Sequence, residues 1–231
     1  MFVFAPAQQP VIPVRGEKDV YFPVRRIYCV ARNYAAHAIE VGDTGRERPF
    51  FFAKPADAVF PIGEKETAEI EFPAMTDNLH HEIELVAALG SGGRNIPVDK
   101  ALSCVWGWAV GLDLTRRDLQ NEAKSKGRPW ETSKGFDQSA PISHIRPVAT
   151  SPDMDAAELW LYVNNSERQR GNTKDMIWST AEVISELSQY FELRAGDLIF
   201  TGTPSGVSKL MKGDLVRGGI NGVGTIEFKF V

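Results

Sequence analysis

The chain has 231 residues, 43% of them hydrophobic and 24% charged, and carries a net charge of -4. Those proportions exclude a disordered or collagen-like polypeptide, and a chain of this length can bury a real core as one large domain or two small ones. The acidic balance argues against a nucleic-acid binder, because the pairs Arg25-Arg26 and Arg116-Arg117 do not make a basic face; fixed cations inside a site can still draw in a small anion.

The opening Met-Phe-Val-Phe-Ala-Pro lacks the basic start and long apolar stretch of a signal peptide. No run approaches the roughly 18 apolar residues that a membrane span requires. A cytoplasmic protein with neither membrane nor nucleic-acid partners is expected. Its two cysteines, Cys29 and Cys104, sit in apolar runs and read as small buried hydrophobes rather than as a disulfide or a nucleophile.

In chain order, a Pro-rich, irregular start over residues 1–23, with an edge strand or two, leads into an apolar run at 27–30. Residues 32–40 read as a short helix ended by Gly42. A buried strand at 50–53 stops at Lys54-Pro55. Strands are then predicted over 69–72, 81–89, 105–114, 159–164, 197–200 and 224–231. Two longer helices are predicted, over 115–126 and over 175–191, the second with Ile177, Ala181, Ile184, Leu187 and Tyr190 on one face. No repeat and no flexible linker is visible, and strands do not alternate strictly with helices. The fold class is therefore α+β, mostly β, in one main domain over 24–231.

The run His81-Glu82-Ile83-Glu84-Leu85-Val86-Ala87-Ala88-Leu89 is the most informative. As a strand it points Glu82 and Glu84 to one face, and its apolar continuation on both faces predicts burial. Two buried neighbouring carboxylates repel unless a cation compensates them. A hard divalent ion, Mg²⁺, Mn²⁺ or Ca²⁺, suits oxygen ligands, and Asp113 at the end of the next apolar strand is a candidate third donor. Spacing alone leaves open the alternative of solvated carboxylates on an exposed face. Glu69-Ile70-Glu71 has the same spacing but follows a polar string, and is taken as a solvated edge strand.

His37 and Glu40 share a helix face, so Glu40 can fix the tautomer of His37 and make it a candidate general base; a plain surface pair remains the alternative. Lys134 lies in a Gly/Ser-containing segment and could close over a site as a cation, although most loop lysines do not. The loop Thr201-Gly-Thr-Pro-Ser-Gly-Val207 offers N–H groups and hydroxyls to an anion, a weak signal alone.

Several of these stretches occur together in one order: Arg32-Asn33-Tyr34-Ala-Ala-His37-Ala-Ile-Glu40, Phe52-Ala-Lys54-Pro55, His81-Glu82-Ile83-Glu84-Leu85, Gly111-Leu-Asp113-Leu-Thr115-Arg-Arg117-Asp118-Leu-Gln120, Lys126-Gly-Arg-Pro-Trp130, Ser133-Lys134-Gly-Phe136-Asp137 and Thr201-Gly-Thr-Pro-Ser-Gly206. Through them the sequence resembles the fumarylacetoacetate hydrolase family from about Val24 onward. The resemblance implies a mixed β-sandwich roll, a homodimer, and Mg²⁺ or Mn²⁺ on Glu82, Glu84 and Asp113. It also implies a His37–Glu40 dyad, a short segment that orders over ligand, and Lys134, Arg117, Gln120 and Thr203 as ligand contacts.

The activity implied is hydrolysis of a carbon–carbon bond in an acylpyruvate, with fumarylpyruvate, an intermediate of gentisate-type aromatic catabolism, the best match. His37 would activate water, Lys134 would stabilise the oxyanion, and Arg32 or Arg116 would hold the distal carboxylate. Oxaloacetate decarboxylation, isomerisation of 2-hydroxyhepta-2,4-diene-1,7-dioate, and non-catalytic dicarboxylate binding are the rival readings. One departure is Ala31, where the family usually has Gly; Ala fits only if its φ is negative.

Overall fold

The computed structural model describes residues 1–34 and 47–231. His37 and Glu40, with most of the helix expected around them, lie outside the described residues. The start of that stretch is not helical: Arg32 is left-handed at φ 57, and Tyr34 makes a β-bridge to Met176. Ala31 has no positive φ, so it is Arg32 that carries the unusual backbone.

The central element is the strand Ile83–Leu89, in which all seven residues are buried. Its odd members face one core, with Leu159, Leu161, Val216, Phe228 and Phe230, while Val86 and Ala88 face a second core with Ile27, Cys29, Ala109, Leu198 and Phe200. Period-2 geometry demands this division, and it explains why the run is apolar on both faces. Each fully buried Leu, Ile or Phe contributes roughly 1.5–3 kcal/mol relative to exposure.

Around it an eight-stranded mixed sheet runs in the order Phe50–Lys54, Arg26–Ala31, Asp197–Phe200, Ile83–Leu89, Val105–Leu112, Ala140–Ser143 and Val59–Ile62, with Arg146–Pro147 also pairing on Val105–Leu112. A five-stranded sheet, Ser166–Asn172, Glu158–Val163, Leu215–Ile220, Gly224–Phe230 and Ala68–Ile70, closes over the first core. The result is a mostly β roll, as expected.

The short strands Val11–Pro13 and Tyr21–Pro23 pair as a hairpin whose Ile12 and Phe22 sit in the second core. Both cysteines are free and buried. Glu69, on the outermost strand Ala68–Ile70, and Glu71, just beyond it, are both exposed on either side of the buried Ile70, as read from the sequence.

Several boundaries differ from expectation. Thr115–Arg116 is a short strand, and the helix starts only at Arg117 and runs to Ser125. The second helix spans Thr180–Tyr190, opened by a capping box between Ser179 and Glu182. Ile177 therefore precedes it, and Tyr190 is exposed rather than buried. Val183, Ile184 and Leu187 form its core face. Strands at Val59–Ile62, Ser166–Asn172 and Leu215–Ile220 were not evident from the sequence.

Candidate metal centre and substrate cavity

Glu84 is the second residue of the central strand, Glu82 lies just before it, and Asp113 follows the end of the neighbouring strand Val105–Leu112. Register pairs Glu84 with Gly111 and Ile83 with Leu112, which brings the three carboxylates together. One oxygen from each lies within 4.8 Å of the others, and all three side chains are buried. Gly111 has to be small, because a Cβ there would stand 2.5 Å from Phe200 Cε1 and 2.6 Å from Val86 Cγ2.

Three cations meet this cluster. Lys134 Nζ donates to Glu82 Oε2 at 2.8 Å, Asp113 Oδ2 at 2.6 Å and Thr115 Oγ1 at 2.7 Å. Lys54 Nζ stands 2.9 Å from Asp113 Oδ1 and also donates to the Lys134 carbonyl. Arg117 donates to Glu82 Oε1 and, at 2.5 Å, to Gln120 Oε1. Burial pulls the Lys134 ammonium down, but Asp113 and Glu82 more than reverse this and hold it above the usual lysine range.

Glu84 is different. Its Oε2 accepts the Gly202 N–H at 2.7 Å, and no cationic side chain among the described residues forms an ion pair with it. Burial, then the charges of Asp113 and Glu82, push its carboxyl well above the ordinary range. A buried carboxylate facing two others is costly unless a further cation joins it. Three hard oxygen donors of this kind fit Mg²⁺ or Mn²⁺, with Ca²⁺ also compatible.

The carboxylates form the floor of a cavity also lined by Arg32, Arg117, Gln120, Lys124, Trp130, Lys134 and Thr203. Eight of the ten site residues expected from the sequence thus share one cavity; His37 and Glu40 are the two outside the described residues. Four cationic side chains face three carboxylates there, an anion-attracting lining in an acidic chain. Burial, and then Arg117 and Arg32, lower the Lys124 ammonium to about 8.

Arg116, the other candidate for a distal carboxylate, does not line the cavity: its guanidinium lies 4.4 Å from the Phe136 ring and donates to the Thr132 carbonyl. Lys134 is not on a mobile loop but ends a short helix, Glu131–Lys134, with its ammonium buried.

Lys54, Lys124 and Trp130 were missed as site residues. The signal for Lys54 was present: a lysine continuing an aromatic strand, Phe50–Lys54, is buried only if it meets an anion.

Beside the carboxylate cavity, and sharing Ala31, Arg32 and Trp130 with it, lies a second chamber of about 280 Å³. Its described walls include Arg48, Phe50, Ile177 and Trp178. Trp130 stands between the two, packed at 5.0 Å against Phe50 and 5.7 Å against Phe52. Asn33 pins this region by donating to the Thr201 and Trp178 carbonyls at 2.8 and 2.9 Å.

A mostly β roll thus holds a buried three-carboxylate group that could bind a metal ion, beneath a cation-lined cavity. The chain belongs to the fumarylacetoacetate hydrolase family, since residues 26–231 match the Fumarylacetoacetate (FAA) hydrolase C-terminal domain. It is similar to the fumarylpyruvate hydrolase of Pseudomonas aeruginosa, solved in complex with Mn²⁺ and pyruvate: 50% identity, 100% and 99% of the two chains covered, and a TM-score of 0.96. The mitochondrial oxaloacetate tautomerase of Arabidopsis thaliana is 42% identical over 88% of this chain and 89% of its own. The mitochondrial oxaloacetate decarboxylase of Dictyostelium discoideum is 41% identical over 87% and 91%. No helix among the described residues is long and apolar enough to cross a membrane.

Proposed function

We propose that the chain is a Mg²⁺- or Mn²⁺-dependent hydrolase of acylpyruvates, with fumarylpyruvate the first candidate substrate and pyruvate plus fumarate the products. One observation carries this reading: a second chamber of about 280 Å³ lies beside the carboxylate cavity and shares Ala31, Arg32 and Trp130 with it. A four-carbon keto acid has no use for that space, whereas an acylpyruvate places its acyl arm there. The Mn²⁺ and pyruvate held by the Pseudomonas aeruginosa relative support the same assignment of metal and product class.

Glu82, Glu84 and Asp113 would hold the ion, which when bound supplies Lewis-acid polarisation of a 2-keto acid and accepts enolate charge. Arg32, which lines both chambers, would meet a substrate carboxylate. Arg117 and Gln120, bonded to each other, line the same wall and keep Glu82 in position. Trp130, Phe50 and Trp178 would present flat apolar surface to an unsaturated acyl arm.

His37, with Glu40 as its partner, would be the base that takes the proton from the attacking water; both lie outside the described residues. Lys134 already spends its three N–H bonds on Glu82, Asp113 and Thr115. For it to stabilise an oxyanion, the bond to the neutral Thr115 hydroxyl is the least costly to surrender.

The test is a spectrophotometric screen of fumarylpyruvate, acetylpyruvate and oxaloacetate, each with Mn²⁺ and again with chelator. Metal-dependent loss of the diketone chromophore of fumarylpyruvate is expected. A second reading, tautomerisation or decarboxylation of oxaloacetate, has the support of the Arabidopsis and Dictyostelium relatives. Turnover of oxaloacetate alone would replace the first reading by the second.

A further inference from the structure

The strand Ser166–Asn172 is polar throughout and largely exposed, yet Gln169 within it is only 1% exposed. Its carboxamide makes four contacts. Nε2 lies 2.8 Å from the Pro204 carbonyl and 2.8 Å from Thr203 Oγ1. Oε1 lies 3.2 Å from the Ile83 N–H and 2.8 Å from His81 Nδ1. A peptide carbonyl only accepts and a peptide N–H only donates, so Pro204 and Ile83 fix which end of the amide is which.

Two consequences follow from donor and acceptor counting. His81 must carry its proton on Nδ1, leaving Nε2 to accept from the Ser208 hydroxyl at 2.9 Å. Thr203 Oγ1 must accept the remaining Gln169 N–H, and its own proton cannot return to an amide nitrogen that has no lone pair. Among the described residues Thr203 Oγ1 has no other hydrogen-bond partner. The hydroxyl belongs to a residue lining the cavity with Glu82, Glu84 and Asp113.

The loop is clamped to the strand as well. A Cβ at Gly206 would meet the Arg168 carbonyl at 2.1 Å, and one at Gly171 would meet Pro204 Cβ at 2.6 Å.

We infer that Gln169, held by His81 and the Ile83 N–H, is a positioning residue that turns the Thr203 hydroxyl into the cavity as a donor to the carboxylate of a bound keto acid. This rests on the keto-acid reading above. Of the two residues, only Thr203 touches the ligand.

The experiment is calorimetric titration of oxalate, a planar keto-acid-enolate mimic, into Mn²⁺-loaded protein, in a double-mutant cycle of Thr203→Val and Gln169→Met. Thr203→Val is expected to weaken oxalate by about ten- to a hundredfold, the usual span for a hydrogen bond to a charged group, with Thr203→Ser close to wild type. Gln169→Met is expected to weaken it by several-fold in the wild-type background. On Thr203→Val it is expected to change affinity by less than about twofold. A purely structural Gln169 would give the same loss in both backgrounds, and that result overturns the inference, as does wild-type affinity in Gln169→Met. If Gln169→Met does not fold, His81→Leu is read in the same cycle with the same criterion. Failure of the wild-type protein to bind oxalate while loaded with Mn²⁺ would overturn the keto-acid reading together with the inference; binding with additive losses overturns the inference alone.

Discussion

At the scale of single residues, the site is a problem of charge in a dry place. Lys54 has almost no exposed surface and stands against Asp113, so Lys54→Met removes one partner of a buried pair. Breaking such a pair costs roughly 3–5 kcal/mol, and the loss is expected as a lower melting temperature in chelator that saturating Mn²⁺ partly restores. An unchanged melting temperature would show that Asp113 does not depend on Lys54. His81 adds a pH dependence. Burial lowers its imidazolium to about 4, so between the ordinary value of 6.5 and about 4 the unfolded chain binds the extra proton. Its contribution to stability is full above about pH 6.5 and is lost as pH falls toward about 4. Denaturant midpoints of wild type and His81→Asn in chelator, taken from pH 7.5 down to 5, should converge on acidification; parallel curves would refute this.

At the scale of elements, the central strand was legible because its chemistry is local: alternation placed Glu82 and Glu84 together and apolar residues on both faces. Other strands were hidden for a physical reason. Ser166–Asn172 has no apolar pattern, since it is an outermost strand held by pairing with Glu158–Val163 and contributes one buried amide. Leu215–Ile220 carries consecutive glycines, Gly218 and Gly219, because the Ile83 and Trp160 side chains approach it closely. A reading from propensity penalises such glycines, whereas tertiary packing requires them. Gly111 tests the same idea within the site. Gly111→Ala is expected to destabilise the fold by about 1–3 kcal/mol through overpacking against Phe200 and Val86. As Gly111 pairs with Glu84, Mn²⁺ affinity should fall as well. A thermal melt unchanged from wild type would show that the two strands can part without cost.

At the scale of the whole molecule, two sheets bury two cores, and the carboxylate centre sits where the central strand and its neighbour begin and end between them. The family, the roll and the cation-lined cavity were readable from motif order, since each motif supplies a wall residue. Trp130 was not, because its role arises from contacts with Phe50 and Phe52 far from it in sequence; Lys54 carried a local signal of burial, but its partner Asp113 lies too far along the chain to be read from that signal. Glu84 is the one member of the three carboxylates with no cationic side chain paired to it among the described residues. Direct titration of Mn²⁺ into metal-free wild type and Glu84→Gln is the sharpest test. One tight site per chain is expected in the wild type, weakened by at least about tenfold in Glu84→Gln, with the variant's melting temperature in chelator equal to or above that of wild type because a buried uncompensated carboxylate is gone. Equal Mn²⁺ affinity in the two proteins would contradict the placement of the metal, and with it the chemistry built on it.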